Sequence, residues 1–136
     1  MRQETKINQK IYHTSNPIFR NKILSEGLIC KGKSETWLSD TQIDGKVIFV
    51  TNSNLQKDWF DTTYNDDIYE IDTKNLPNKF FHDPNFKYEK NNKHLITFEN
   101  IPLKNLKLIW SGNGKSWDQC NDLIIKKWAK FIEKYK

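Results

Sequence analysis

The sequence predicts an α+β domain, and three stretches carry that prediction. Lys10 to Thr14 alternates polar and apolar residues, then passes through a turn into a short helix that Gly27 closes. Lys46 to Thr51 is a continuous apolar run and Ile68 to Asp72 alternates strictly, so both read as strands. Residues 116–136 place Trp117, Cys120, Ile124, Trp128, Phe131 and Tyr135 at helical spacing, which predicts a C-terminal amphipathic helix.

Met1 to Gln9 is a polar lead-in, flexible or packed at an edge. In the first strand, Ile11 and Tyr12 are β-formers, and His13 and Thr14 close it. Asn16 suits a helix cap and Pro17 a first helical position, with Phe19, Ile23 and Leu24 near one face. Leu28 to Cys30 is a short apolar segment, and Lys31 to Gly45 is a loop that Trp37 and Leu38 anchor. The strand ending at Thr51 is expected at the centre of the sheet. Ser53 caps a short helix carrying Leu55, Trp59 and Phe60.

Asp61 to Asp67 is a polar turn containing Tyr64, and residues 75–78 end the strand that follows. Phe80 to Tyr88 reads as irregular around Pro84. His94 to Phe98 and Asn105 to Trp110 are further strands. Ser116 and Gln119 make a capping box for the last helix, with Lys126, Lys127, Lys130 and Lys134 mostly off its apolar stripe.

The chain of 136 residues suits one domain over 1–136. Aromatic residues make up 13%, which argues against disorder, because such rings reward burial. A net charge of +5 permits an anionic partner without demanding one. No apolar run approaches a membrane span and the N-terminus lacks a signal-peptide core, so a cytoplasmic location without membrane contact is expected. Cys30 and Cys120 sit among apolar neighbours without metal-ligand spacing and read as reduced and buried.

Two tempting motifs fail on spacing. Gly114-Lys115-Ser116 lacks the first glycine of a phosphate loop, because Ile109 holds that position. His82-Asp83 has no further histidine at ligand spacing, so no metal site is expected. His13-Thr14 is different: it lies at a strand end, where scaffolds place chemistry, although backbone groups alone would satisfy such a pair.

The order of motifs resembles the ADP-ribosyltransferase-like superfamily. The strand ending Tyr12-His13-Thr14 leads to a helix ending Glu26-Gly27-Leu28, then to the strand Ile48-Phe49-Val50-Thr51. A helix ending Trp59-Phe60, the strand Ile68-Tyr69-Glu70-Ile71-Asp72 and a late segment Ile101-Pro102 follow. The similarity covers Lys10 to Ile109 and is nearest to small bacterial and phage members: DNA-targeting toxins, rifampin ADP-ribosyltransferases and RNA 2′-phosphotransferases.

That resemblance implies a split mixed or antiparallel β-sheet with flanking helices and a cleft for NAD, which serves as substrate. It implies transfer of ADP-ribose to a nucleic acid, protein or small-molecule acceptor. His13 matches the histidine that contacts the adenosine ribose, with Thr14 beside it. Thr51 and Asn52 match the strand end before the short helix, and Trp59, Phe60 or Tyr64 supplies an aromatic to stack on nicotinamide. An NAD cleft of this kind uses a donor for ribose hydroxyls, an aromatic platform and cations for pyrophosphate, and Arg20 and Lys22, with Lys31 or Lys33 after the helix, are the candidate cations.

The usual catalytic glutamate position falls on His94, which cannot act as a counter-charge when neutral. Asp83, in Asp83-Pro84-Asn85, is the better carboxylate, matching a loop of the rifampin-type enzymes. The catalytic set implied is therefore His13, Asp83 and His94. A non-catalytic module binding a nucleotide, nucleic acid or protein is the alternative of another class. An RNA 2′-phosphotransferase is disfavoured, because arginine occurs only at Arg2 and Arg20.

Overall fold

Among the described residues seven antiparallel strands make one sheet, in the order β1-β5-β6-β3-β2-β4-β7. The strands are β1 (Glu4–Thr5), β2 (Ile11–Ser15), β3 (Ile48–Thr51), β4 (Asp67–Ile71), β5 (Phe80–His82), β6 (His94–Thr97) and β7 (Leu106–Trp110). Among the described residues two helices flank it, α1 (Arg20–Glu26) and α2 (Asp122–Lys134). This computed structural model describes residues 4–7, 10–30, 47–52, 65–86, 93–112, 114 and 122–134. The expectations for Lys31, Lys33, Trp37, Leu38, the helix from Ser53, Trp59, Phe60, Tyr64, the Ser116–Gln119 cap and Cys120 lie outside the described residues.

The α+β expectation holds, and every registered strand pair is antiparallel, so the sheet is not mixed. β3 occupies the centre, as its apolar run predicted. The lead-in contributes an edge strand, with Glu4 opposite Phe81 and Thr5 opposite Phe80. Phe80 to His82 is therefore a strand rather than irregular chain, and Pro84–Phe86 is a 3-10 turn after it.

The sheet falls into two halves, β1-β5-β6-β3 and β2-β4-β7. They meet through one registered pair, Tyr12 with Thr51. By contrast β2 and β4 register over five pairs, from Ile11–Ile71 to Ser15–Asp67. The ladder thus opens between β2 and β3 just beyond Tyr12.

Alternation along the strands sorts two cores. Ile11, Val50, Tyr69, Ile71 and Leu95 pack on one face with Ile23 of α1. Tyr12 and Ile68 pack on the other with Trp128 and Ile132 of α2. β4 is buried on both faces for this reason, although its alternating sequence reads as half-exposed. Trp110 meets Trp128 edge-on at 4.9 Å, a geometry worth about 0.5–1.5 kcal/mol beyond the area it covers. Lys126, Lys127, Lys130 and Lys134 are exposed on the outer face of α2.

Pro17 starts a 3-10 turn over Pro17–Phe19, and Asn16 accepts from the Ile18 N–H at 3.0 Å, so the expected cap serves that turn. α1 follows directly and Gly27 ends it. Leu28 then bridges to Ile101, with two hydrogen bonds of 2.9 Å.

Candidate functional site

His13 stands where the ladder opens. Its Nδ1–H donates to the Phe49 carbonyl of β3 at 2.7 Å, since a carbonyl oxygen can only accept. A side chain thus spans the gap that backbone pairing leaves beyond Tyr12–Thr51. Burial pushes the imidazole below its ordinary value, and the Phe49 carbonyl partly opposes that shift. At neutral pH the ring is therefore neutral, with the proton on Nδ1. Nε2 then carries a lone pair, and no described residue partners it. With Nδ1–H committed to Phe49, the imidazole presents Nε2 as an acceptor.

The depressed value has a consequence for stability. The unfolded chain takes up a proton at its His13 position near pH 6.5, whereas the folded chain resists it. The contribution is fully present above about pH 6.5 and is lost as pH falls through the lower folded value. Urea unfolding at about pH 7.5 and about pH 5.5 should show a larger loss for the wild type than for His13→Asn. Equal losses in the two proteins would contradict this.

Thr51, His94 and Asp83 come together at one end of the half-sheet β5-β6-β3. Thr51 registers with His94, the Asn52 N–H donates to Lys93 O at 3.0 Å, and the Asp83 N–H donates to His94 O at 3.0 Å. The His94 ring stacks on Phe86, with centroids 3.7 Å apart and planes at 5°. The turn that carries Phe86 is pinned twice: Phe86 N–H donates to Asp83 O at 3.0 Å, and His82 Nε2–H donates to Phe86 O at 2.8 Å. Asp83 itself is 2% exposed, so its carboxylate belongs to the packed interior of this turn.

Two expected site residues lie elsewhere. Thr14 alternates with His13, registers with Ile68 and shares the face of Tyr12, so it does not stand beside the imidazole. Arg20 opens α1, and its guanidinium is committed to Asp67: Nε donates to Oδ2 at 2.8 Å and Nη2 to Oδ1 at 2.6 Å. Nη2 also donates to Gly112 O at 2.8 Å. Asp67 pairs with Ser15 at the far end of β2, so Arg20 lies away from Thr51 and His94. The ion pair and carbonyl explain why Arg20 is held to the scaffold. Trp59, Phe60 and Tyr64, the aromatics expected to stack, lie outside the described residues.

The sequence reading overlooked Asp67 and Phe86. Phe86 was within reach, four residues after His82 in the Asp-Pro-Asn-Phe turn. Among the described residues no group of three His, Cys, Asp or Glu side chains is placed to hold a metal ion. Burial and the Glu99 charge push the Cys30 thiol up, so it stays protonated near neutral pH. No described helix is long and apolar enough to cross a membrane. No protein-family model matches the chain, and no curated protein matches it.

Proposed function

We propose that the chain binds NAD in the opening between the half-sheets and transfers ADP-ribose from it. The observation that carries this reading is His13, held at the gap through Nδ1 with Nε2 available to accept a hydrogen bond. Nε2 accepts from a hydroxyl of the adenosine ribose. The antiparallel sheet, opened between β2 and β3, and the motif order along β2, α1, β3 and β4 support the same reading.

In the transfer, the bond between nicotinamide nitrogen and the anomeric carbon breaks. Nicotinamide leaves with the bonding pair, and the acceptor attacks the same carbon and loses its proton. Holding these partners in line supplies most of the acceleration. Charge stabilisation at the anomeric carbon is the remaining requirement. His94 is the described side chain nearest in role, as a base for the acceptor proton. Thr51 and Asn52 hold the end of β3 where the substrate enters.

A specific observation favours a second reading. At this end of the sheet Asp83 is buried and His94 stacks on Phe86, so the described residues present no exposed carboxylate beside His94. A binding module without turnover fits that arrangement. An RNA 2′-phosphotransferase fits less well, because Arg20 is engaged by Asp67.

The test is NAD titration followed by tryptophan fluorescence, with released nicotinamide measured alongside. Wild type is expected to bind and to release nicotinamide. His13→Ala should weaken binding about ten-fold, the worth of one well-made hydrogen bond with its desolvation. Binding without release selects the module reading. No binding by folded wild-type protein would refute both NAD readings.

A further inference from the structure

A groove of about 650 Å³ lies at the β4–β7 side of the molecule, apart from His13. Four lysines from four segments converge on it: Lys10 before β2, Lys74 after β4, Lys104 in the 3-10 turn before β7, and Lys107 within β7. Its two carboxylates are already engaged. Glu70 pairs with Lys10 at 3.5 Å, and Asp72 Oδ1 accepts from the Lys74 N–H at 2.9 Å. Among the described residues nothing pairs with the ammonium groups of Lys74, Lys104 and Lys107, so the groove carries excess positive charge.

One lining residue points to a ligand independently of charge. Asn105 is 6% exposed, and its Nδ2 donates to Asp72 O at 2.8 Å. That bond fixes the amide orientation and leaves Oδ1 buried with no donor among the described residues. A buried acceptor left unsatisfied costs about 1–3 kcal/mol, so such atoms usually have a partner. Ile71 and Leu106 add an apolar wall, and the volume suits a small molecule.

We propose that this groove binds a phosphate monoester of a small hydroxylated molecule, with the phosphate among Lys74, Lys104 and Lys107 and a ligand hydroxyl directed to Asn105. The lysines complement a dianion as point charges. A hydroxyl seated on the floor gives Oδ1 its missing donor. No step of the NAD reading depends on this site, and the site does not depend on that reading.

Ribose 5-phosphate is the probe, titrated into the full chain and followed by backbone amide shifts. Binding with a Kd below about 1 mM is expected, with the largest shifts at Lys74, Asn105 and Lys107. The double variant Lys74→Gln/Lys107→Gln should weaken it about ten-fold or more. Both residues are exposed, so the fold is retained. Lys126→Gln/Lys130→Gln removes the same charge from α2 and should leave affinity unchanged, as should His13→Asn. Inorganic phosphate should bind about ten-fold more weakly, because it brings no sugar hydroxyl. Failure of ribose 5-phosphate to bind at roughly 10 mM would overturn the site. Equal weakening by the α2 pair would overturn it too, since overall charge would then explain binding. Equal affinity for phosphate would overturn the role given to Asn105.

Discussion

Replacing Asp67 with alanine is expected to destabilise the fold by about 3–5 kcal/mol, the range found when a buried ion pair loses one partner. The Asp67 side chain is 0% exposed and the Arg20 side chain 31%, so the two do not lose equally. Arg20 can recover part of its solvation from water. The Gly112 N–H, which donates to Asp67 Oδ1 at 2.8 Å, is buried and cannot. Asp67 thus ties together the start of α1, the start of β4 and the chain leaving β7. Asp67→Asn keeps an acceptor for Gly112 and should cost less, about 1–3 kcal/mol. Urea unfolding with an unchanged m-value would read the difference. A loss under about 1 kcal/mol for the alanine variant would show that the pair does not hold these elements.

The same substitution has a spectroscopic readout. Burial, and then the Asp67 charge, push the Tyr69 phenol up to about 12. Its ionised form is disfavoured in the fold, so this contribution to stability is present below about pH 10 and is lost as pH rises through about 12. Removing the Asp67 charge should bring Tyr69 part of the way back in an ultraviolet pH titration. The remainder reflects burial and should persist.

What the sequence made legible depended on local pattern. Ile68 to Asp72 alternates, and a strand is there, one residue earlier, because Asp67 is drawn into it by Arg20. Gly27 ended a helix as expected. β5 escaped because Phe80-Phe81-His82 is short and abuts Pro84, so turn signals outweighed it; its strand character comes from β1 and β6 on either side. Contacts distant in sequence were invisible. Arg20 and Asp67 are 47 residues apart, and a lone arginine after a helix start reads equally well as a ligand cation. Asp83 reads as a loop carboxylate before Pro84, yet it is buried at the start of the 3-10 turn, which the loop pattern does not reveal. His13 was legible as a residue at a strategic strand end. Its tautomer was not, because that depends on the Phe49 carbonyl, 36 residues away. The family reading rests on motif order, since no family model matches the chain.

Gly27→Ala is the second change with a large expected effect. Gly27 has φ 79° and ψ −169°, a region that only glycine adopts readily, and forcing a side chain there costs about 1–3 kcal/mol. Space compounds the strain. An added Cβ would stand 2.5 Å from Ile101 O and 2.9 Å from Leu103 N, both backbone atoms. Ile101 O cannot retreat freely, because it accepts the Leu28 N–H at 2.9 Å. Relieving the clash means parting α1 from the Ile101–Leu103 segment, breaking that bridge and loosening Ile23 and Leu28 in the main core. Strain and overpacking together predict a loss of about 2–5 kcal/mol, a large share of a typical 5–15 kcal/mol. For a chain of this length that lowers Tm by roughly 7–17 °C. Ser25→Ala is the control: Ser25 is exposed on the same helix and its hydroxyl donates to Lys22 O within that helix, so a shift of at most about 2 °C is expected. If Gly27→Ala melts with the wild type, the close approach of α1 to Ile101 does not exist in solution, and the placement of α1 on the core would have to be withdrawn.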